Sequence, residues 1–264
     1  MLSEEFSQEV VILKTGRFRE ADLWLRFFTP DRGVMTAFAF GGLRSRRRFP
    51  GCLEPLSRVL FKIARQRVSG YHFLREGSLL DRFSALHRHS SRLGMAVNCA
   101  KFVEAAHTGV EGSDRVYALL LRILTLLNEA EEVPDNLPLY FRGRLTAEYG
   151  YRPEFGRCAV CGAAASGLER GAFSLARGAL TCAGCGFDPD ARVLPGIALA
   201  HLDRVLHRDP EEWSHPEALR GGSLQRACLL LEQFVEYHMG LVWDSGRFRP
   251  AEGRFPDDRR EDVT

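Results

Sequence analysis

Cys158-Ala159-Val160-Cys161, answered across the gap Gly162–Thr181 by Cys182-Ala183-Gly184-Cys185, decides how the middle of this chain folds. Two CxxC pairs at this separation match a zinc ribbon, in which two tight knuckles each give two thiolates to one tetrahedral ion. The glycines agree: Gly162 follows Cys161, and Gly184 and Gly186 flank Cys185, which lets backbone amides turn toward sulfur. Two chance pairs or a redox dithiol are the alternatives. A redox dithiol needs a single pair beside a βαβ pattern, and no such pattern is visible. Cys158, Cys161, Cys182 and Cys185 are therefore read as the ligands of one Zn2+. Four thiolates complete the tetrahedron and leave no position for water, so the ion is expected to be structural. HExxH and the deaminase pair HxE and PCxxC are absent, which argues against a zinc hydrolase.

Outward from the ribbon, placed at about 155–188, the pattern is helical on both sides. Leu93, Val97, Ala100, Phe102, Val103 and Ala106 recur at helical spacing. A second helix opens with Ser113 as N-cap and carries the stripe Val116, Leu119, Leu120, Ile123, Leu124 and Leu127 until Pro134 stops it. Leu137 to Tyr149 gives a third, closed by Gly150 and Pro153, and helices return at Ile197 to His207 and Ser223 to Met239.

The first 80 residues read instead as strands. Glu9 to Lys14 is β-branched and apolar, Leu23, Leu25 and Phe27 alternate with Trp24, Arg26 and Phe28, and Val34 to Phe40 follows the turn Pro30-Asp31-Arg32-Gly33. Val59, Phe61 and Ile63 alternate with Arg58, Leu60 and Lys62, and Tyr71 to Arg75 completes about five strands. With no room for crossover helices, that favours a small closed barrel of the OB type. The expected fold is α+β: an N-terminal OB-fold β-barrel over 1–80, then an all-α domain over 81–245 with the four-cysteine zinc ribbon inserted, then a disordered tail over 246–264, where little can be buried.

Charge is unevenly spread. The whole chain of 264 residues carries +2, yet residues 1–80 carry +6 and the remainder −4. A basic leading domain on a mildly acidic body points to a polyanion partner at one end. Gly41-Gly42-Leu43-Arg44-Ser45-Arg46-Arg47-Arg48-Phe49 sets four arginines on a glycine-hinged loop between strands. Guanidinium groups bind phosphate bidentately, and a cluster of them releases counterions. A solvated charged loop is the plainer reading, but the barrel context favours nucleic acid. Phe38 and Phe40 are assigned to the barrel core, and Trp24 or Phe28, on the side of Arg26, is a candidate stacking platform.

Other classes find no support. The eight histidines show no catalytic pattern, and GxxxxGK[ST], GxGxxG and GxSxG are missing. No apolar run approaches bilayer length, and Glu4 and Glu5 stand where a signal peptide carries positive charge. Four clustered cysteines and the three scattered ones, Cys52, Cys99 and Cys228, suit a reducing cytoplasm.

The layout resembles the bacterial RecO family of recombination mediators. Locally, Val11-Ile12-Leu13-Lys14, Arg19-Glu20-Ala21-Asp22 and Phe28-Thr29-Pro30-Asp31-Arg32-Gly33 look like that family's first strands and turn. Phe40-Gly41-Gly42-Leu43-Arg44 and Gly51-Cys52-Leu53-Glu54-Pro55 look like its glycine-arginine loop and leucine-proline segment. Leu241 to Ser245 departs from it, since the family often has more basic residues there. Some members lack the cysteines, in keeping with a structural metal. The resemblance implies a DNA repair protein with no enzymatic activity, cytoplasmic and nucleoid-associated. It implies binding to single- and double-stranded DNA, annealing of complementary strands, and contacts with RecR and the C-terminal tail of SSB that help to load RecA. Carried onto this chain, Arg44, Arg46, Arg47 and Arg48 are the phosphate contacts, with Lys14, Arg17 and Arg19 as additions. The competing expectations are an RNA-binding OB and zinc-ribbon protein, and a metalloenzyme, which requires an open metal position.

Overall fold

The computed structural model describes residues 4–66, 70–106, 109–186, 189–214 and 219–251. Five strands close a barrel in the order β1-β2-β3-β5-β4: β1 (Glu4–Arg17), β2 (Leu23–Thr29), β3 (Gly33–Ala39), β4 (Arg58–Arg65) and β5 (His72–Asp81). β1 is long because it serves two neighbours. Its first half pairs with β4 and its second with β2, and an irregularity between Ile12 and Lys14 turns it from one to the other. A short parallel contact, Ala37 with His72 and Phe38 with Phe73, joins β3 to β5 and completes the ring. This is the five-stranded Greek-key barrel of the OB type. β5 runs six residues beyond the expected Arg75 because pairing with β4 persists through Leu79 and Asp81.

The alternation along β2 is the barrel wall made visible. Leu23, Leu25 and Phe27 point inward with Val10, Ile12, Val59, Phe61, Ile63 and Leu74, and Phe49 and Cys52 from the β3–β4 loop complete that core. Val11, Leu13, Phe28 and Leu56 belong to a second core shared with the helices, so one face of the barrel is seated on them. Polar contacts fix the seat. Glu9 Oε1 accepts from Arg58 Nε at 2.8 Å and from Tyr117 Oη at 3.0 Å.

The helices are α1 (Ser90–Ala106), α2 (Ser113–Glu129), α3 (Leu137–Glu148), α4 (Gly196–His207) and α5 (Gly221–Met239). Ser113 is the first residue of α2 and not its cap. Left-handed Gly112 holds the cap position, and Ser113 Oγ donates back to the Val110 carbonyl at 2.7 Å. α3 is the central helix. Gly143 lets it close on its neighbours, because a Cβ there would stand 2.8 Å from Leu231 and 3.0 Å from Leu206.

The ribbon is a four-stranded sheet, order β6-β8-β7-β9, of β6 (Glu154–Cys158), β7 (Arg170–Ser174), β8 (Ala179–Cys182) and β9 (Arg192–Pro195). It therefore extends past the expected end at Asp188, a residue that lies outside those described. Nor does it stand apart. Phe155 and Phe173 stack at 4.3 Å and meet Phe234 of α5 at 6.3 and 5.9 Å, so the sheet shares the helical core.

The expected disorder from Gly246 is overturned for its first residues. β10 (Leu241–Asp244) and β11 (Arg247–Pro250) form a hairpin turned at Ser245 and Gly246. What stabilises it is Phe248, whose ring lies 4.9 Å from Phe102 of α1 and 4.8 Å from Trp243. A run that looks polar by composition thus holds one aromatic that a helix can cover. The rest of the expected tail, 252–264, lies outside the described residues.

Candidate nucleic-acid interface and metal centre

β6 and β8 end in the two knuckles, and the fold brings the four cysteines together. The sulfurs of Cys158, Cys161, Cys182 and Cys185 all lie within 4.8 Å of one another. Cys161 and Cys182 are 3.6 Å apart, far from a disulfide and close to the separation of about 3.8 Å that Zn–S bonds of about 2.3 Å give across a tetrahedron. Gly162 and Gly186 take positive φ of 74° and 87°, the turns that wrap backbone around each pair. Backbone N–H groups of Cys161, Cys182 and Val160 aim at Cys158 and draw its thiol down to about 6. The Cys185 thiol donates to the sulfurs of Cys161 and Cys182, which holds it up at about 12. Four sulfurs this close cannot all ionise without a cation among them, so the donor set fits a thiolate-binding metal. Among the described residues no other group of histidines, cysteines and carboxylates gathers in a metal-holding arrangement.

The basic loop leaves β3 at Phe40 and is anchored at both ends. Gly41 N donates to Asp22 Oδ1 at 2.7 Å, Leu43 N donates to Ala21 O at 3.1 Å, and Arg44 pairs with Glu20 at 2.8 Å. Those bonds tie the loop to the β1–β2 turn. Farther on, Phe49 and Cys52 plug the barrel, and Gly77 N donates to the Arg48 carbonyl at 2.8 Å. Arg48 donates to the Phe40 carbonyl and lies 5.1 Å over the Phe49 ring. Arg46 and Arg47 are exposed and have no ion pair among the described residues. The turn contact also brings exposed Arg17 and Arg19 to this end of the barrel, Arg19 at 5.2 Å over Phe18. Lys14 stands apart from the loop, 5.6 Å over the ring of Trp24.

The aromatic assignments need correcting. Phe38 and Phe40 are not barrel core. β3 points Ala37 and Ala39 inward, since Phe27, Phe61 and Phe49 already fill the small interior, and its phenylalanines go outward. There they meet others. Phe18 lies 5.0 Å from Phe38, Phe38 stacks on Phe40 at 6.1 Å and meets Tyr71 at 5.9 Å, and Phe40 lies 6.5 Å from Phe73. Phe18, Phe40 and Tyr71 are 48%, 45% and 63% exposed, which water would penalise on a surface without a use. Arg75 adds a guanidinium 4.7 Å over Phe73. Phe28 is no stacking platform, being fully buried against the helices. Trp24 is half-buried, laid over Gly16, where a Cβ would collide with the indole.

The result is a patch of five aromatic rings bounded by the β1–β2 turn, the start of β5 and the arginine loop. Stacking faces beside clustered guanidiniums are the equipment for holding unpaired bases and their phosphates. Phe18, Tyr71 and Phe73 were not candidates from sequence. The available signal was pairing: Trp24 faces outward opposite Phe38, so the alternation of β2 fixes that of β3.

Comparison with known proteins agrees along the chain. A family model described as Recombination protein O N terminal matches residues 1–83, and one described as Recombination protein O C terminal matches residues 87–245. The protein named DNA repair protein RecO of Solidesulfovibrio magneticus is 44% identical over 249 residues, 92% of this chain and 98% of that protein. Its namesake in Oleidesulfovibrio alaskensis is 42% identical over 251 residues, 93% and 99% of the two chains. That of Myxococcus xanthus is 30% identical over 237 residues, 90% and 93%.

Proposed function

This chain belongs to the recombination protein O family, and from that membership we propose that it is a DNA-binding repair mediator. In this reading it anneals complementary strands and helps to load recombinase on single-stranded DNA coated by SSB, with RecR as a partner. The observation that carries the proposal is the exposed aromatic patch beside the arginine loop on a barrel of the OB type. Annealing requires two polyanions to approach. Arg46, Arg47, Arg19 and Arg17 lower that repulsion, while Phe38, Phe40 and Tyr71 hold bases open for pairing. No nucleophile or acid–base pair is needed, so no turnover of a small molecule is expected, and the cytoplasm is the compartment such work requires.

In the same reading the four cysteines hold one Zn2+ as a cross-link. Bound there, the ion supplies fixed geometry to the two knuckles and no reactive position. The sheet it ties down is packed on Phe234, so its loss is felt in the helical core. The acidic tail of SSB finds a seat in a cavity of about 410 Å³ among α3, α4 and α5. Tyr140 and Trp213 give it apolar walls, and Arg204 and Arg208 stand at its lining beside Asp135 and Glu212, the latter 3.5 Å from Arg208.

The test is annealing of complementary oligonucleotides with and without an SSB coat, beside competition between DNA and RNA strands of one sequence. Acceleration of annealing and no RNA preference are expected. A strong preference for RNA, or no acceleration, overturns the reading.

A further inference from the structure

We propose that a single strand held on the barrel continues into the cleft between barrel and helices, where Lys14, Arg26, Lys101 and Arg247 take its phosphates and Trp243 of the C-terminal hairpin stacks on a base. The proposal rests on the DNA-binding reading of the barrel and extends it to a site of which the family resemblance supplied Lys14 alone.

The cleft is a cavity of about 540 Å³ walled by β1, β2, α1 and the β10–β11 turn. That space admits a nucleotide and excludes a duplex. Four cations line it against one carboxylate, Glu104. Arg26 Nε is ion-paired with Glu104 Oε1 at 3.2 Å, yet that nitrogen is shut off from water and makes no hydrogen bond among the described residues. Lys101 spends one donor on the Gly246 carbonyl at 2.7 Å, and an ammonium has two more to give. Arg247 is exposed, with no ion pair among the described residues. Leu13, Leu56 and Phe248 supply apolar walls, which concentrate the field of these charges.

Continuity with the aromatic patch decides the ligand class. Across the barrel's outer face, Phe38 stands opposite Trp24 and Trp24 opposite Gly16, while in the neighbouring row Arg26 stands opposite Lys14. One row offers rings and the next offers cations, on strands spaced by about 4.8 Å. The cation row opens into the cleft, and on its far side Trp243 is 45% exposed with Lys101 at 5.7 Å from its ring. Indole faces paired with ammonium groups suit bases and phosphates together. An acidic peptide satisfies the cations but has no use for both tryptophans.

The experiment compares oligothymidines of about five and about twenty nucleotides, lengths within and above what the barrel face alone holds by the site sizes of such folds. The full chain carrying Lys101→Gln and Arg247→Gln is expected to bind the short strand within twofold of wild type. For the long strand its log-affinity against log-salt slope should fall by about 1.4, the loss of two single-strand phosphate contacts. In a Trp24→Phe background, where buried Trp213 is the remaining other indole, the long strand should quench Trp243 and the short one should not. Lys101→Arg with Arg247→Lys should restore the slope, which separates charge from folding. Equal losses for both lengths, an unchanged slope, an unquenched Trp243 or equal quenching by polyglutamate would each overturn the proposal. If the barrel reading were itself at fault, the short strand would bind no better to wild type than to Arg46→Gln/Arg47→Gln.

Discussion

Replacing Arg46 and Arg47 together by glutamine should isolate the electrostatic part of the proposed strand binding. Both side chains are exposed, on a loop whose shape is set by other bonds: Gly41 to Asp22, Leu43 to Ala21, and Gly77 to the Arg48 carbonyl. Fold stability should therefore stay within about 0.5 kcal/mol of wild type, as for surface substitutions away from special contacts. Each phosphate contact on a single strand contributes about 0.7 to the slope of log K against log salt, so two contacts contribute about 1.4. Referred to 1 M salt, where the term vanishes, the variant loses about 60-fold in affinity at 50 mM and about 10-fold at 200 mM. Fluorescence anisotropy with a labelled oligothymidine over that salt range reads both numbers. A parallel downward shift at every salt, with the slope kept, would mean that the variant had damaged the site instead of removing charge. Identical curves for variant and wild type would refute the assignment of the loop to phosphate.

Glu20→Gln should act oppositely: freeing Arg44 from its 2.8 Å partner is expected to raise affinity and steepen the slope by at most about 0.7, read in the same titration. Phe40→Ala, at an exposed position, should leave the melting temperature alone and weaken single-strand binding by about 1–3 kcal/mol, the value of one stacked base, with less effect on duplex. Cys158→Ser, or chelation of the wild type, should lower Tm by on the order of 10 °C because the ribbon shares the Phe155–Phe173–Phe234 core, while strand binding at low temperature persists; metal analysis should give one ion per wild-type chain. At the seat of the barrel, the hydrogen bond from Arg58, with help from Tyr117, holds the Glu9 carboxyl below the usual glutamate range. The folded pKa being the lower, the stabilisation of about 1 kcal/mol relative to Glu9→Gln should be complete above the unfolded value of about 4.3 and should vanish as pH falls through the folded one, as urea melts at several pH values would show.

Much of this is legible in the chain itself. The CxxC spacing announces four sulfurs around one point, because each knuckle is local geometry and the sequence prints it. The alternation of Leu23, Leu25 and Phe27 announces a half-buried strand for the same reason: a period of two is a property of the strand itself. The run Arg44 to Arg48 needs no partner to be seen as charge. What did not read correctly was every feature that depends on a distant neighbour. Phe38 and Phe40 look like core until the space inside the ring is known to be taken by Phe27 and Phe61, which leaves room there for Ala37 and Ala39 alone. Phe28 looks like a platform until α2 covers it, with Tyr117 at 6.2 Å from its ring. The segment after Gly246 looks disordered by composition until Phe102 appears beneath Phe248.

The sequence by itself determined the five barrel strands, the five helices, the gathering of four thiols and the sign and place of the charge, since spacing along the chain carries them all. Tertiary structure alone decided which aromatic rings face water, which arginines are already engaged, and that Lys14, Arg26, Lys101 and Arg247 share one cleft. Those outcomes follow from volume and closure: a barrel of five strands admits a fixed amount of side chain, and what it cannot admit is displayed outside, next to whatever the helices bring there.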